Sequence, residues 1–165
     1  MLLRFLACAC LIPIPLSAEI ASRLQSPPRE ERPGLFVSGQ VRAAGMIFSG
    51  TVLSISHSSP SDSTGTVQIT FKVESAIRGT RSGQVVRVRE WSGLWNGGER
   101  YRVGERLVLC LYPTSRIGLT SPVGGTAGRY EIDKSGRVIV RDGGSSRPIK
   151  VRKFVSGLRR AVQEK

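Results

Sequence analysis

The chain has 165 residues, and its 25 Lys and Arg residues outnumber its 12 Asp and Glu residues, which gives a net charge of +13 at pH 7. This length is sufficient for one domain with tails that buries its own core, so it excludes a small scaffold that depends on disulfide bonds. The basic residues are scattered and form no run of five or six. They are compatible with a solvated basic surface, and also with attraction of nucleic acid, anionic lipid or acidic polysaccharide.

Residues 1–18 are typical of a removable secretory signal. Arg4 supplies a positive charge, the run from Phe5 to Leu16 is apolar, and Ala18 places a small residue at the cleavage position. As a helix with a rise of about 1.5 Å per residue, this run is too short to span a bilayer core of roughly 30 Å. An uncleaved N-terminal anchor is the alternative, because Leu16 is larger than signal peptidases prefer. We expect an exported protein, either periplasmic or extracellular.

Cleavage after Ala18 leaves Cys110 as the one cysteine of the mature chain, and the loss of Arg4 lowers the net charge from +13 to +12. An exported protein with one cysteine cannot form an internal disulfide bond, so packing must hold it together. We expect Cys110 to be a small buried hydrophobe, with an intermolecular disulfide or a reactive thiol as alternatives. Residues 19–40 are predicted to be a flexible leader, in which Leu35 to Val37 adds a short strand or packs on the edge of the domain.

Residues 41–142 are predicted to form an all-β domain. Gly50, inside the first strand, indicates a β-bulge of the kind that small closed barrels need. The unbroken apolar run from Leu107 to Tyr112 indicates a strand that is covered on both faces, and therefore the central strand. The predicted strands are residues 46–55, 66–77, 84–91 and 107–112, followed by a hairpin of residues 130–133 and 137–140.

No group of residues in the sequence points to catalysis. The sole histidine, His57, lies in a polar loop of residues 56–65, whereas catalysis requires a nucleophile and a base held rigidly within hydrogen-bond reach. The chain has no Gly-x-Ser-x-Gly elbow, no His-Glu-x-x-His motif and no cluster of ligands at metal spacing. The glycines of residues 113–128 precede no helical pattern, so they do not predict a nucleotide site. We therefore predict a protein that is not an enzyme and carries no metal or cofactor.

Both tryptophans lie in or beside a glycine-rich stretch between two predicted strands. Together with neighbouring arginines they can form an aromatic and cationic patch of the kind that stacks on bases or sugars. Alternatively, the tryptophans close the open end of a barrel, because two indoles in one short loop are costly to leave in water. In the strand before this loop, alternation places Glu90 on the same face as Val86 and Val88, but the adjacent apolar residues Val85 and Val86 leave the phase at the start of the strand open. The candidate binding residues are Arg89, Trp91, Trp95, Arg100, Tyr101 and Arg102.

Residues 148–164 are predicted to form an amphipathic helix that packs on or next to the barrel. Its apolar positions are Val151, Phe154, Val155, Leu158 and Val162. Such a stripe favours docking on the protein's own sheet, whereas a basic amphipathic helix can alternatively lie on an anionic membrane. The candidate residues for contact with a membrane or an anion are Lys150, Arg152, Lys153, Arg159 and Arg160.

The order of these segments resembles the netrin-like module over about residues 41–140. The motifs that carry the resemblance are Ile47-Phe-Ser-Gly-Thr-Val52, the run from Val67 to Glu74, the turn Ile77-Arg-Gly79, Gly83-Gln-Val-Val-Arg-Val88 and Gly98-Glu-Arg-Tyr-Arg-Val-Gly-Glu-Arg-Leu-Val-Leu109. The resemblance implies an OB-like, five-stranded Greek-key barrel with a helix alongside, as in the inhibitory domain of tissue inhibitors of metalloproteinases. Those inhibitors bind the catalytic zinc through an N-terminal cysteine, whereas no residue from Glu19 to Met46 is a cysteine here. The resemblance therefore implies a scaffold and transfers no site residue.

Together these observations predict an exported, non-enzymatic binding or interaction module on a mainly β scaffold. Its ligand is expected to be a macromolecule, either a protein or an anionic polymer, and no specific nucleic acid is expected. The alternative is a structural protein of the cell envelope that associates with the membrane or with an anionic polymer through its basic C-terminal helix. Inhibition of a protease follows only from the family analogy.

Overall fold

The computed structural model describes residues 35–58, 65–98, 100–142 and 145–164. The predicted secretory signal, residues 1–18, and most of the predicted leader lie outside these residues. Strands predominate in the described part, which confirms the prediction of a mainly β protein. The elements in chain order are α1 (Leu35–Ala43), β1 (Met46–His57), β2 (Thr66–Arg78), β3 (Val85–Trp91), β4 (Arg106–Leu111), β5 (Arg129–Glu131), β6 (Arg137–Asp142), β7 (Ser145–Lys150) and α2 (Val151–Gln163), with short 3-10 helices at Ser92–Trp95 and Gly125–Gly128.

Five strands form one antiparallel sheet in the order β3-β2-β1-β4-β5. β1 is the middle strand, and its 12 residues pair with β2 on one side and, through Met46 to Thr51, with β4 on the other. The predicted central position of the strand at Leu107 to Tyr112 is therefore wrong, although β4 is an interior strand between β1 and β5. Its burial on both faces, which the unbroken apolar run predicts, is confirmed.

Alternate residues of β1 and β4 point into two separate cores, one on each face of the sheet. Phe48 and Leu109 point into one core, while their neighbours Ile47 and Cys110 point into the other. The strand core consists of Phe48, Val52, Val67, Ile69, Phe71, Val73, Val86, Val88, Tyr101, Leu107, Leu109 and Leu111. The helix core consists of Val37, Val41, Ala44, Ile47, Val108, Cys110, Val123, Tyr130, Ile132, Val138, Phe154 and Leu158. The sheet is thus covered by α1 and α2 on the face opposite the strand core.

An irregularity interrupts β1 at the position that the sequence predicts for a bulge. The pairing of β1 with β2 shifts register between Ser49 and Gly50. A Cβ atom at Gly50 would lie 2.5 Å from the carbonyl oxygen of Lys72, so a side chain here would force the backbone to move. A bulge increases the local twist of a strand. At this point β1 pairs with β2 on one side and with β4 on the other, so the added twist affects both pairings.

The end of the predicted leader is helical. Leu35 to Val37, for which an extended strand is one prediction, begins α1 instead. Val37 and Val41 lie four residues apart and bury one side of this helix in the helix core. The Gln40 amide also donates a 2.7 Å hydrogen bond to the carbonyl oxygen of Ala127. Residues 35–40 therefore belong to a helix that packs on the sheet.

The hairpin predicted from residues 130–133 and 137–140 is reduced to one isolated bridge between Ile132 and Val138. β6 pairs instead with β7, and the two strands form a separate two-stranded sheet. The sequence does not predict β7 because it contains Pro148, which is tolerated only where a strand is at an edge. α2 consequently begins at Val151, later than the predicted start at residue 148.

Candidate functional site

Glu90 lies near the end of β3 and is fully buried. β3 alternates between exposed and buried positions, and it buries Val86 and exposes Val85, which decides the phase that the sequence left open and places Glu90 in the interior with Val86 and Val88. Its Oε1 accepts a 2.7 Å hydrogen bond from the Tyr101 hydroxyl, and its Oε2 accepts a 3.2 Å hydrogen bond from the Trp95 indole. These donors offset the cost of removing a carboxylate from water.

Two arginines add positive charge around this carboxylate. Arg100 Nε lies 3.3 Å from Glu90 Oε2. The Arg129 guanidinium lies 5.3 Å from the centroid of the Tyr101 ring and also forms an ion pair with Glu105. We call this group the Glu90 cluster, and its members are Glu90, Trp95, Arg100, Tyr101 and Arg129.

The Glu90 cluster is an internal polar network. Burial raises the pKa of Glu90 above its usual value, while the Tyr101 hydrogen bond and the Arg100 charge oppose that shift. Burial, followed by the neighbouring Glu90 charge, also raises the pKa of Tyr101, so its hydroxyl remains a protonated donor. Trp95 and Tyr101 both lie in the segment between β3 and β4, so their hydrogen bonds to Glu90 hold that segment against the end of β3.

Trp95 covers one end of the strand core. Its ring centroid lies 5.7 Å from that of Tyr101 and 5.7 Å from that of His57. The Tyr101 ring in turn meets Phe71 edge to face at 5.7 Å. Trp95 is half-buried and its N–H group is bonded to Glu90, so its position favours the interpretation in which a tryptophan closes the end of the core.

The outward side chains of β2 and β3 form a basic face. Arg87, Arg89 and Trp91 alternate with the buried residues of β3, and all three are exposed. Thr70 lies opposite Arg87 on β2, and Gln68 lies opposite Arg89. We define the basic face as Gln68, Thr70, Lys72, Arg87, Arg89 and Trp91. None of these residues is acidic, and the next outward residue of β2, Glu74, is paired with Arg106, so the positive charge of the face is not neutralised within it.

Trp91 provides a flat apolar surface on the basic face. The residue is 54% exposed. A Cβ atom at Gly93 would lie 2.3 Å from the Trp91 ring, so the glycine allows the indole to lie directly against the backbone. An indole that is held on one side and open to solvent on the other can stack on a planar or apolar ring of a ligand.

A polar cavity of about 350 Å³ lies at one end of the basic face. Its lining residues are Ser56, His57, Ser58, Thr66, Gln68 and Arg89. The Ser58 hydroxyl accepts a 2.7 Å hydrogen bond from the backbone N–H of Thr66, which fixes one wall. Every lining side chain carries a hydrogen-bonding group and none is acidic. The cavity shares Gln68 and Arg89 with the basic face, so the two form one continuous surface.

The structure divides the predicted binding residues between two places. Arg89 and Trp91 lie on the basic face. Trp95, Arg100 and Tyr101 belong to the Glu90 cluster, where their polar groups contact Glu90. The predicted aromatic and cationic loop is therefore not one surface.

Arg102 lies apart from both groups, in the turn before β4. It is exposed, and its backbone N–H donates a 3.0 Å hydrogen bond to the Glu105 carboxylate. Lys72 and Arg87 are not among the predicted candidates, because they lie in regular strands away from the loop that holds the tryptophans. The signal was present in the alternation of β2 and β3, which places these side chains outward.

The basic residues of α2 lie on its exposed side. Phe154, Val155 and Leu158 are buried, so the predicted docking of the helix on its own sheet is confirmed. Arg159 donates a 3.1 Å hydrogen bond to the carbonyl oxygen of Ala76 on β2. The predicted contact residues Lys150, Arg152, Lys153, Arg159 and Arg160 are all exposed. The apolar side of α2 is covered by protein, and its charged side faces solvent.

Two further residues with side chains of reactive types are His57 and Cys110. His57 is exposed at the end of β1 and meets the Trp95 ring edge to face. Cys110 is buried, as expected, and burial raises the pKa of its thiol to about 12.

Within the described ranges, no three or more His, Cys, Asp and Glu side chains are grouped so that they could hold a metal ion. In the same part of the chain, no helix has the length and apolar character needed to cross a bilayer.

Comparison with known proteins gives no assignment, since the chain matches no protein-family model and no curated protein.

Proposed function

We propose that the chain is an exported, non-enzymatic module that binds an acidic polysaccharide on the basic face. The observation that carries this proposal is a row of outward basic side chains on two paired strands, in which Arg89 and then Arg87 follow the exposed Trp91 along β3 and Lys72 lies at the far end of the row on β2. Guanidinium groups form charge-assisted hydrogen bonds with carboxylate and sulfate groups. The Trp91 indole offers an apolar surface to a sugar ring. After loss of the predicted signal, the net charge of +12 adds long-range attraction for a polyanion.

The polar cavity next to the basic face supports a sugar ligand. Sugar hydroxyl groups require both donors and acceptors, and the cavity lining supplies hydroxyl, imidazole, amide and guanidinium groups. Its volume of about 350 Å³ falls in the range of sites that hold small molecules. With one saccharide unit in the cavity, the rest of the polymer would extend along Arg87 and Lys72.

We also propose that the sheet is an OB-like Greek-key barrel. β1, β2 and β3 form an antiparallel meander, and β4 returns beside β1. After β4 the chain pairs with that strand again through a bridge between Leu111 and Pro122. Nearby, the Thr120 N–H donates a 2.9 Å hydrogen bond to the Arg89 carbonyl oxygen on the edge strand β3. This contact supports closure, and OB folds bind oligosaccharides and oligonucleotides on strands 2 and 3.

Titration of the chain with an acidic polysaccharide such as heparin at about 50 mM salt tests the proposed function. We expect the Arg87→Gln, Arg89→Gln double variant to bind at least about tenfold more weakly, because two charge-assisted contacts are lost. Trp91→Ala should weaken binding by about five- to thirtyfold, as loss of a stacking contact does. Arg116→Gln, which removes an exposed arginine from the loop after β4, is the matched control and should change affinity by less than about twofold.

Two comparison ligands determine what a positive titration means. A neutral polysaccharide should bind far more weakly than the acidic one, because it lacks partners for the arginines. Single-stranded DNA provides charge with a different shape. If DNA binds as tightly as the polysaccharide and Trp91→Ala changes neither affinity, attraction is by charge alone and the proposed polysaccharide site is wrong.

A further inference from the structure

A groove of about 400 Å³ lies between α2 and the sheet. We call it the α2 groove, and its polar lining includes Ser49, Ser75, Arg106, Arg152, Ser156 and Arg159. It has no lining residue in common with the cavity next to the basic face. A ligand site in the α2 groove is therefore independent of the proposed function.

The helix side of the α2 groove results from spacing in the sequence. Ser156 lies four residues after Arg152, and Arg159 lies three residues later, so all three fall on one side of α2. The hydrogen bond from Arg159 to the Ala76 carbonyl oxygen orients one guanidinium group. The Arg152 side chain forms no hydrogen bond or ion pair with the described residues. One wall of the groove thus presents a fixed cation and an unpaired cation.

The sheet side of the groove is ordered by a network of its own. Arg106 donates hydrogen bonds of 3.0 Å from Nε and 2.6 Å from Nη2 to the Glu74 carboxylate. The Thr51 hydroxyl donates a 2.7 Å hydrogen bond to the same group. The Arg106 hydrogen bonds are the main cause that lowers the pKa of Glu74, so this carboxylate stays ionised and holds Arg106 in place. The Nη1 group of Arg106 remains outside this pair.

Ser49 adds a buried hydroxyl to the lining. The residue is 2% exposed, and its side chain forms no hydrogen bond with the described residues. Buried hydroxyl groups normally have a partner, because leaving one unpaired away from bulk water is costly. A hydroxyl that lines an open groove without a protein partner is available to a ligand.

The α2 groove has an excess of positive charge. Its one acidic side chain among the lining residues, Glu74, is paired with Arg106, while Arg152 and Arg159 have no carboxylate there. α2 begins after Lys150 with no side-chain cap and no acidic residue in its first turn. A helix N-terminus carries positive partial charge, so it repels cationic side chains nearby. A bound anion would reduce this repulsion.

We infer that the α2 groove binds a phosphate or sulfate monoester. The oxygen atoms of such a group accept hydrogen bonds from guanidinium and hydroxyl donors, which are the groups that Arg152, Arg106 and Ser49 present. The three arginines exclude a divalent cation. The volume of about 400 Å³ exceeds that of the bare anion and accommodates an ester with a small organic group. The same chemistry is found in soluble metabolites and in lipid headgroups.

Calorimetric titration of the full chain with inorganic phosphate, sulfate and glycerol 3-phosphate at low salt tests this inference. We expect saturable binding to one site. Arg152→Gln should weaken phosphate binding at least about tenfold, and Ser49→Ala by about three- to tenfold, because each removes a hydrogen bond to a charged ligand. Arg116→Gln is again the control and should stay within about twofold.

Vesicles with and without phosphatidic acid distinguish the two sources of the ester. Tighter binding of glycerol 3-phosphate than of inorganic phosphate, without sedimentation on vesicles, assigns the site to a soluble ester. Sedimentation on phosphatidic acid vesicles that Arg152→Gln abolishes and Arg116→Gln retains assigns it to a lipid headgroup. Absence of saturable binding by wild type, or unchanged binding by Arg152→Gln, would overturn the inference. The Arg87→Gln, Arg89→Gln variant should still bind phosphate, which separates this site from the basic face.

Discussion

Glu90 is the residue whose surroundings differ most from those that its type prefers. It is fully buried at the end of an edge strand, and its three contacts come from Tyr101, Trp95 and Arg100. A buried carboxylate that loses one partner retains the full cost of its desolvation. The stability of the loop between β3 and β4 should therefore depend on these contacts.

Tyr101→Phe tests the strongest of them. The substitution removes the hydroxyl that donates to Glu90 at 2.7 Å and keeps the ring in the strand core. We expect the free energy of unfolding in urea to fall by about 1–3 kcal/mol. Tyr112→Phe is the matched control, because Tyr112 is 42% exposed and its hydroxyl accepts only a long 3.4 Å contact from Gly124. Equal effects of the two substitutions would contradict the role assigned to Tyr101.

The pH dependence of stability tests the burial of Glu90. Burial raises its pKa, so the folded protein retains this proton at a pH where the unfolded chain has lost it. The contribution of Glu90 to stability is thus greatest below the unfolded pKa of about 4.3 and falls as pH rises above it. Glu90→Gln cannot ionise. We expect its free energy of unfolding, relative to wild type, to increase between about pH 4 and pH 7.

Glu131→Gln provides the control for this series, because Glu131 is an exposed acid on β5. The comparison between variant and wild type removes the effect of other carboxylates, including Glu74, whose lowered pKa makes stability fall as pH decreases. A relative stability of Glu90→Gln that decreases with rising pH would show that Glu90 is held mainly as a carboxylate by its donors.

The strands differ in how far they can be predicted from the sequence. β2 and β3 alternate over most of their length, so period-two patterning predicts their bounds to within one residue, although the adjacent Val85 and Val86 leave the phase of β3 open. The residues of β4 from Leu107 to Leu111 are all apolar, which indicates that both faces of the strand are covered but does not indicate which strand lies in the middle of the sheet. β7 and α1 do not emerge from the sequence, since Pro148 and Gly39 weaken their local signals and tertiary packing decides their structure.

The candidate surfaces can be predicted only in part for a related reason. Arg89 and Trp91 are predicted because they border the loop that holds both tryptophans, whereas Arg87, on the same outward side of β3, is not among the predicted residues. The α2 groove combines Ser49, Arg106 and Arg152 from three separate elements, and no spacing in the sequence reveals such a meeting. Only the stripe of Arg152, Ser156 and Arg159 can be read from helical periodicity.

Gly50 gives a test of the irregularity in β1. In Gly50→Ala the new Cβ atom would lie 2.5 Å from the Lys72 carbonyl oxygen, so β1 or β2 must move. We expect a loss of about 1–3 kcal/mol in the free energy of unfolding, the range for overpacked positions. Gly97→Ala is the control, since nothing lies within 4 Å of its added Cβ atom. A neutral Gly50→Ala variant would mean that the register shift tolerates a side chain.

Leu158→Ala tests the docking of α2 on the sheet. Leu158 is fully buried in the helix core. Its truncation should lower the free energy of unfolding by about 2–5 kcal/mol, because it leaves a cavity between α2 and the sheet. Ile117→Ala, at a residue that is 68% exposed, should cost less than about 0.5 kcal/mol. Similar small costs for both would indicate that α2 does not depend on this contact.

The charge of the chain is distributed unequally between its interior pairs and its surface. Among the described residues, Glu74, Glu90 and Glu105 are each within ion-pair distance of an arginine. These pairs neutralise acidic groups locally, so the outward arginines of the basic face and of α2 set the surface potential. A positive net charge distributed in this way favours anionic ligands at two separate places, the basic face and the α2 groove.

The salt dependence of polysaccharide affinity tests the proposed binding module most directly. Log Kd should be measured against log salt concentration from about 50 to 500 mM for wild type and for the Arg87→Gln, Arg89→Gln variant. Because each arginine that contacts an anionic group adds about one to the slope, we predict that the variant's slope is smaller by about two and that wild type still binds at high salt through Trp91. Equal slopes, or complete loss of wild-type binding at high salt, would contradict a specific site on the basic face.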